Sequence, residues 1–112
     1  MPKGGHLGEF EQLVMLALLR LKDDAYGMQV RREIQSRTER PVSIGSVYAT
    51  LDRLERKGFV RSSVAAPESG PAGRARKFFA LTRDGGDALL RTQEAVRRMT
   101  DGLSVRGELE AL

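Results

Sequence analysis

The chain has 112 residues, a formal net charge of +4, 40% hydrophobic residues and 30% charged ones, which suits one small soluble domain and leaves no room for a second. It contains no cysteine, so disulfides, thiol nucleophiles and Cys-based zinc sites are excluded. The only histidine, His6, lies in the short polar N-terminal segment. With no Ser–His–Asp set and no cluster of metal ligands, neither an enzyme nor a bound cofactor or metal is expected.

The longest apolar run, Leu13 to Leu19, is far short of the roughly 20 residues that span a bilayer. Met1–His6 is too short and polar to read as a signal peptide, and a cytoplasmic protein is the expectation. The sequence pI is near 10.0, above the value of about 9 that marks many nucleic-acid binders. The placement of the charges must decide whether that matters.

From Leu7 to Leu21, Phe10, Leu13, Val14, Ala17, Leu18 and Leu21 recur at spacings of three and four, the stripe of an amphipathic helix. Met15, Leu16 and Leu19 widen the stripe until the helix is apolar on nearly every side, and Asp23-Asp24 ends it. A second helix runs from Tyr26-Gly27 to about Thr38, with Met28, Val30 and Ile34 inward and Arg31, Arg32 and Arg37 outward. Pro41 lies beyond its end, a common position for proline. Ser43 is placed to cap a third helix, whose inward stripe is Val47, Leu51 and Leu54, and Gly58 closes it in the left-handed conformation that glycine tolerates.

The pattern then changes to strand. Phe59 to Val64 and Arg76 to Leu81 are β-prone runs, separated by the proline- and glycine-rich stretch Pro67 to Arg74, which reads as a hairpin tip. Thr82 caps a last helix that carries Ala88, Leu89, Thr92, Val96 and Met99 on its stripe. The expected division is a tail at 1–6, a DNA-binding domain at 7–82, a C-terminal helix at 83–103 and a fraying tail at 104–112. The order helix, helix, helix, strand, strand, helix defines a mainly α (α+β) winged helix-turn-helix, in which the third helix enters the major groove.

On that helix, Ser46, Ala49, Thr50 and Arg53 are expected opposite the core stripe, a small polar face with one long cation. Such a face can approach base edges: hydroxyls reach bases or phosphates, alanine meets a thymine methyl, and arginine spans guanine O6 and N7. Arg31, Arg32, Arg40, Arg56, Lys57 and Arg61 flank it and suit phosphate oxygens. Arg74, Arg76 and Lys77 crowd the hairpin near its tip, where they can follow the backbone or the adjacent minor groove.

Four stretches carry a resemblance. They are Leu7-Gly8-Glu9-Phe10-Glu11-Gln12-Leu13-Val14, Tyr26-Gly27, the run from Ser43 through Gly45-Ser46-Val47-Tyr48 and Leu51-Asp52-Arg53-Leu54-Glu55-Arg56-Lys57-Gly58 to Val60, and Leu81-Thr82-Arg83-Asp84-Gly85. Over roughly residues 7 to 100 the chain resembles PadR-type transcriptional regulators. The resemblance implies a winged helix with one C-terminal dimerisation helix, repression at a roughly palindromic operator, and release by a small effector. It also implies DNA contact by Ser43, Ser46 and Tyr48, with Arg53 beside them; core-edge packing is the other reading of Tyr48. Many members carry proline where this chain has Ala49, and some sense flat drugs with a tryptophan that is absent here.

The residues assigned to DNA are thus Arg31, Ser43, Gly45, Ser46, Tyr48, Ala49, Thr50, Arg53, Arg74, Arg76 and Lys77. A homodimer is expected through Phe10, Leu16, Leu19, Leu89, Val96 and Met99, by packing the last helix on the partner's first. A groove between those helices would admit an apolar or phenolic effector. The expected partners are double-stranded DNA and a second copy, with no membrane. The competing readings are a winged helix that binds protein instead of DNA, and an RNA binder, for which the stacking aromatics are missing.

Overall fold

A computed structural model describes residues 6–65 and 76–112. Helix α1 spans Glu9–Leu21 and starts with half of a capping box: the Gly8 N–H donates to Glu11 Oε1 at 2.9 Å, while glycine has no side chain to return the bond. A 3-10 turn at Lys22–Asp24 follows, and buried Ala25 leads into α2 (Gly27–Thr38). Glu39 takes the left-handed conformation at the end of α2, at φ 57°.

Two α2 side chains hold the turn that comes next. Arg31 Nε donates to the Val42 carbonyl at 2.8 Å, and the Val42 N–H donates to Gln35 Oε1 at 3.1 Å. Val42 is thereby drawn into the core, and the chain re-enters helix as α3 (Ile44–Arg56). Ser43 caps it, its Oγ accepting the Ser46 N–H at 3.1 Å. Gly58, at φ 81°, makes the reversal after α3.

Strands β1 (Val60–Ala65) and β2 (Arg76–Leu81) pair antiparallel from Val60 opposite Leu81 to Ala65 opposite Arg76. The α1–α2 turn adds a rung on the other edge of β2: Tyr26 bridges Phe78, and the Phe79 N–H donates to the Ala25 carbonyl at 2.9 Å. The hairpin is therefore fixed to the base of α2 as well as to the end of α3. Its expected tip, with Arg74, lies outside the described residues.

Thr82 ties the hairpin to α4 (Arg83–Thr100). Its Oγ1 accepts the Gly85 N–H at 3.0 Å and donates to the Gly58 carbonyl at 2.6 Å. Gly85 lets α4 press onto the preceding chain, since a Cβ there would come within 2.0 Å of the Phe59 carbonyl oxygen. Beyond Leu89, no residue of α4 is buried. A further helix, α5 (Val105–Glu110), is capped by Ser104, in the segment whose weak pattern suggested a fraying tail. The core combines Val14, Met15 and Leu18 of α1, Val30 and Ile34 of α2, Val47, Leu51 and Leu54 of α3, and Phe59, Val60, Phe79 and Leu89. The winged helix-turn-helix read from the sequence is the fold, with α5 added.

Candidate nucleic-acid interface

Helix α3 buries Val47, Thr50, Leu51 and Leu54, the three- and four-residue spacing of a single helical stripe. This corrects one assignment. Thr50 is only 3% exposed, on the core side and not the outer face. Its position three residues after Val47 and four before Leu54 places it inside, and its hydroxyl is satisfied by a long 3.4 Å bond from Arg53 Nη2. At about 100° per residue, Gly45, Ala49, Asp52 and Arg56 fall opposite the stripe, and all are exposed. With no side chain on Gly45 and a methyl on Ala49, the N-terminal half of that outer surface has a low profile that lets it approach a groove floor, while Asp52 and Arg56 project from the C-terminal half.

Ser43 and Ser46 sit exposed at the N-terminal end of that surface. Ser46 Oγ donates to the Ser43 carbonyl at 2.9 Å, and the two hydroxyls are 3.0 Å apart. They close the first turn upon themselves, and each hydroxyl oxygen retains acceptor capacity. Tyr48 is 41% exposed and lies over Gly27, where a Cβ would meet its ring at 2.3 Å. The hydroxyl end of its ring thus lies against the α2–α3 crossing, so packing accounts for much of the residue. The pairing of Gly27 with Tyr48 is a contact that pattern reading does not supply.

Arg53 is tethered. Its Nε donates to Glu11 Oε2 at 3.1 Å, and Lys57 Nζ donates to the same oxygen at 3.0 Å. Glu11 is 6% exposed. Burial raises its pKa, but the bonds from the Gly8 N–H, Lys57 and Arg53 outweigh this and hold the carboxyl below its ordinary value. Periodicity alone gives Glu11 no role; a serine or threonine in place of Gly8 would have displayed the capping box. Arg31 is committed to the α2–α3 turn through Val42, so it frames the start of α3 as well as lying beside it.

Arg76 and Lys77 are exposed on β2. The Arg76 guanidinium lies 4.4 Å from the centroid of the Tyr26 ring, and that ring packs edge-on against Phe78 at 5.7 Å. Lys77 Nζ is 5.5 Å from the Phe79 ring centroid. Both cations are supported by aromatic faces, so the base of the wing presents positive charge in defined positions. Arg40 pairs with Glu9 at 2.9 Å and is less available to a phosphate.

The residues proposed for dimerisation divide. Leu19, Val96 and Met99 are exposed, Met99 at 77%, and Phe10 and Leu16 are half-buried against the core. Leu89 is 4% exposed within the single chain and belongs to the core: it lies in the part of α4 that packs against α1 and β2. Leu103, Val105 and Leu109 beyond α4 are exposed as well, and Leu90 is exposed on the face of α4 opposite Met99. No helix among the described residues is long and apolar enough to cross a membrane.

Comparison with known proteins agrees with this architecture. The transcriptional regulator PadR-like family matches residues 15–91, and the chain belongs to that family. It is therefore a transcriptional regulator. Among solved structures it is similar to a PadR family transcription regulator from Clostridium difficile, with 26% identity over 84% of this chain and 93% of that one and a TM-score of 0.70. A PadR family transcriptional regulator from Eggerthella lenta shows 26% identity over 90% and 85% of the two chains, with a TM-score of 0.64. RosR of H. salinarum shows 26% identity over 94% and 87%, with a TM-score of 0.66. No curated protein matches.

Proposed function

We propose that the protein is a sequence-specific DNA-binding regulator that acts as a homodimeric repressor at a roughly palindromic operator. Helix α3 enters the major groove through Gly45, Ser46, Ala49 and Arg53, Ser43 and Tyr48 contact the backbone at its N-terminal end, and Arg76 and Lys77 hold the flanking phosphates. Arg74, at the wing tip, belongs to the same set on sequence grounds. The observation that carries the reading is the low, exposed surface of α3, with small residues at 45, 46 and 49, set beside a wing whose cations rest on aromatic rings.

A two-fold dimer formed through α4 and the partner's α1 sets two such helices about 34–36 Å apart, one turn of duplex. On the family resemblance, a small apolar or phenolic effector is proposed to bind where α4 meets the partner's α1, altering that spacing and releasing DNA. The test is a gel shift on the DNA upstream of the protein's own coding region at several salt concentrations. Selective retention that weakens steeply with salt supports the proposal, because bound cations displace counterions. Binding that ignores sequence, or no retention in dilute buffer, contradicts it.

A further inference from the structure

Glu11 comes from α1, yet its Oε2 accepts bonds from two cations at the end of α3, Arg53 at 3.1 Å and Lys57 at 3.0 Å. Its Oε1 is fixed by the Gly8 N–H at 2.9 Å, so the carboxylate cannot swing to follow either partner. Arg53 itself remains half-exposed, with 47% of its side chain accessible. Its Nε–H is taken by Glu11 and one Nη2–H by the long bond to Thr50 Oγ1, which leaves Nη1 and the second Nη2–H for a base edge.

An untethered arginine at this position would pair with whichever phosphate came near, adding affinity without discrimination. A guanidinium pinned along one edge meets only what the groove presents at a fixed place. The same carboxylate also offsets charge that Lys57 would otherwise lend to phosphate binding.

We infer that Glu11 is the positioning residue for Arg53, so that a buried carboxylate on α1, which does not itself reach the duplex, sets selectivity at the expense of non-selective affinity. This rests on the reading of α3 as the DNA-reading helix and deepens it.

The experiment compares wild type, Glu11→Gln, Arg53→Ala and the double variant. Each is titrated on the duplex that wild type selects from a randomised pool and on an unrelated duplex of equal length. Glutamine keeps an acceptor for the Gly8 N–H and removes the charge. For Glu11→Gln the inference predicts tighter binding to the unrelated duplex and a selected-to-unrelated ratio lower by about tenfold, within the range for loss of one bidentate base contact. The salt slope on unrelated DNA should steepen by about one phosphate contact. In the Arg53→Ala background, Glu11→Gln should leave the ratio unchanged.

A purely structural role for Glu11 would instead weaken both duplexes in proportion, or lower the ratio equally with and without Arg53; either result overturns the inference. Should Glu11→Gln fold poorly, the Arg53 Nε–H resonance of wild type decides: slow solvent exchange supports the tether, and rapid exchange overturns it. A wild type that selects no duplex overturns the DNA reading of α3 itself. A selective wild type with an unmoved ratio in Glu11→Gln overturns only the role given to Glu11.

Discussion

Glu11 is buried on α1, yet its carboxylate faces two cations at the end of α3. It joins the start of α1 to the end of α3 through three bonds to one carboxylate. Hydrogen bonds to charged groups contribute about 1.5–3 kcal/mol each when buried, and here two of the partners are half-exposed. Glu11→Ala should therefore cost about 1–3 kcal/mol in denaturant unfolding. The folded carboxyl lies below its ordinary value of 4.5, so its contribution is present above that pH and is lost as the pH falls through the lowered folded value. The gap between wild type and Glu11→Ala should narrow on the acid side; a gap that stays constant down to acid unfolding would contradict the ion-pair account.

Two glycines separate kinds of crowding. At Gly85 an added methyl would strike backbone, the Phe59 carbonyl, and Gly85→Ala should destabilise by about 3 kcal/mol. At Gly27 it would strike only the far end of the Tyr48 ring, which can turn outward. Gly27→Ala should cost under about 1 kcal/mol and become neutral when Tyr48→Ala is also present. Thermal unfolding of Gly85→Ala, Gly27→Ala, Tyr48→Ala and the Gly27→Ala/Tyr48→Ala pair checks both. Thr50 teaches the complementary lesson. Threonine's polarity suggested an outer position, whereas its place in the three-and-four spacing put it inside, and on a short helix the spacing is the stronger signal.

Among the elements, the proposed function gives α3 and the wing different work. Arg53→Ala should blunt discrimination between duplexes, while Arg76→Ala should weaken selected and unrelated DNA alike. Tyr26→Leu, which removes the ring beneath Arg76, should follow Arg76→Ala in direction with a smaller loss, as a lost cation–π support of about 0.5–1 kcal/mol implies. Gel shifts on both duplexes measure this, and identical profiles for Arg53→Ala and Arg76→Ala would refute the division. The helices and strands were legible because each has a local cause: Ser43 and Thr82 as caps, Gly58 as a reversal, and two β-prone runs around a turn-rich stretch. What local pattern could not show is which elements touch. The rung from Tyr26 to Phe78, the Tyr48 ring over Gly27 and the Glu11 tether join residues far apart in sequence. Helix α5 was missed because its short run, with glycine at 107, gives little periodicity to read.

At the scale of the molecule, shape and surface point the same way. The Cα radius of gyration is 16.6 Å, where a compact domain near this length has about 13 Å. The far half of α4 and all of α5 are exposed or half-exposed, with Val96, Met99, Leu103 and Leu109 among the large apolar side chains in water. Each such side chain gains about 1.5–3 kcal/mol on full burial, so a few per chain suffice to hold a second copy. Val96→Glu with Met99→Glu should shift the protein to monomer in sedimentation equilibrium while leaving its helical content unchanged. A wild type that is already monomeric at high concentration would contradict the dimer.

Methylation protection of guanine N7 addresses the whole proposal most directly, since that atom faces the major groove. On the selected duplex, the bound protein should shield N7 atoms in two clusters whose centres lie about one helical turn apart, and Arg53→Ala should uncover part of each. Uniform reactivity at N7 under saturating protein, with the backbone nevertheless covered, would show that α3 does not read the groove.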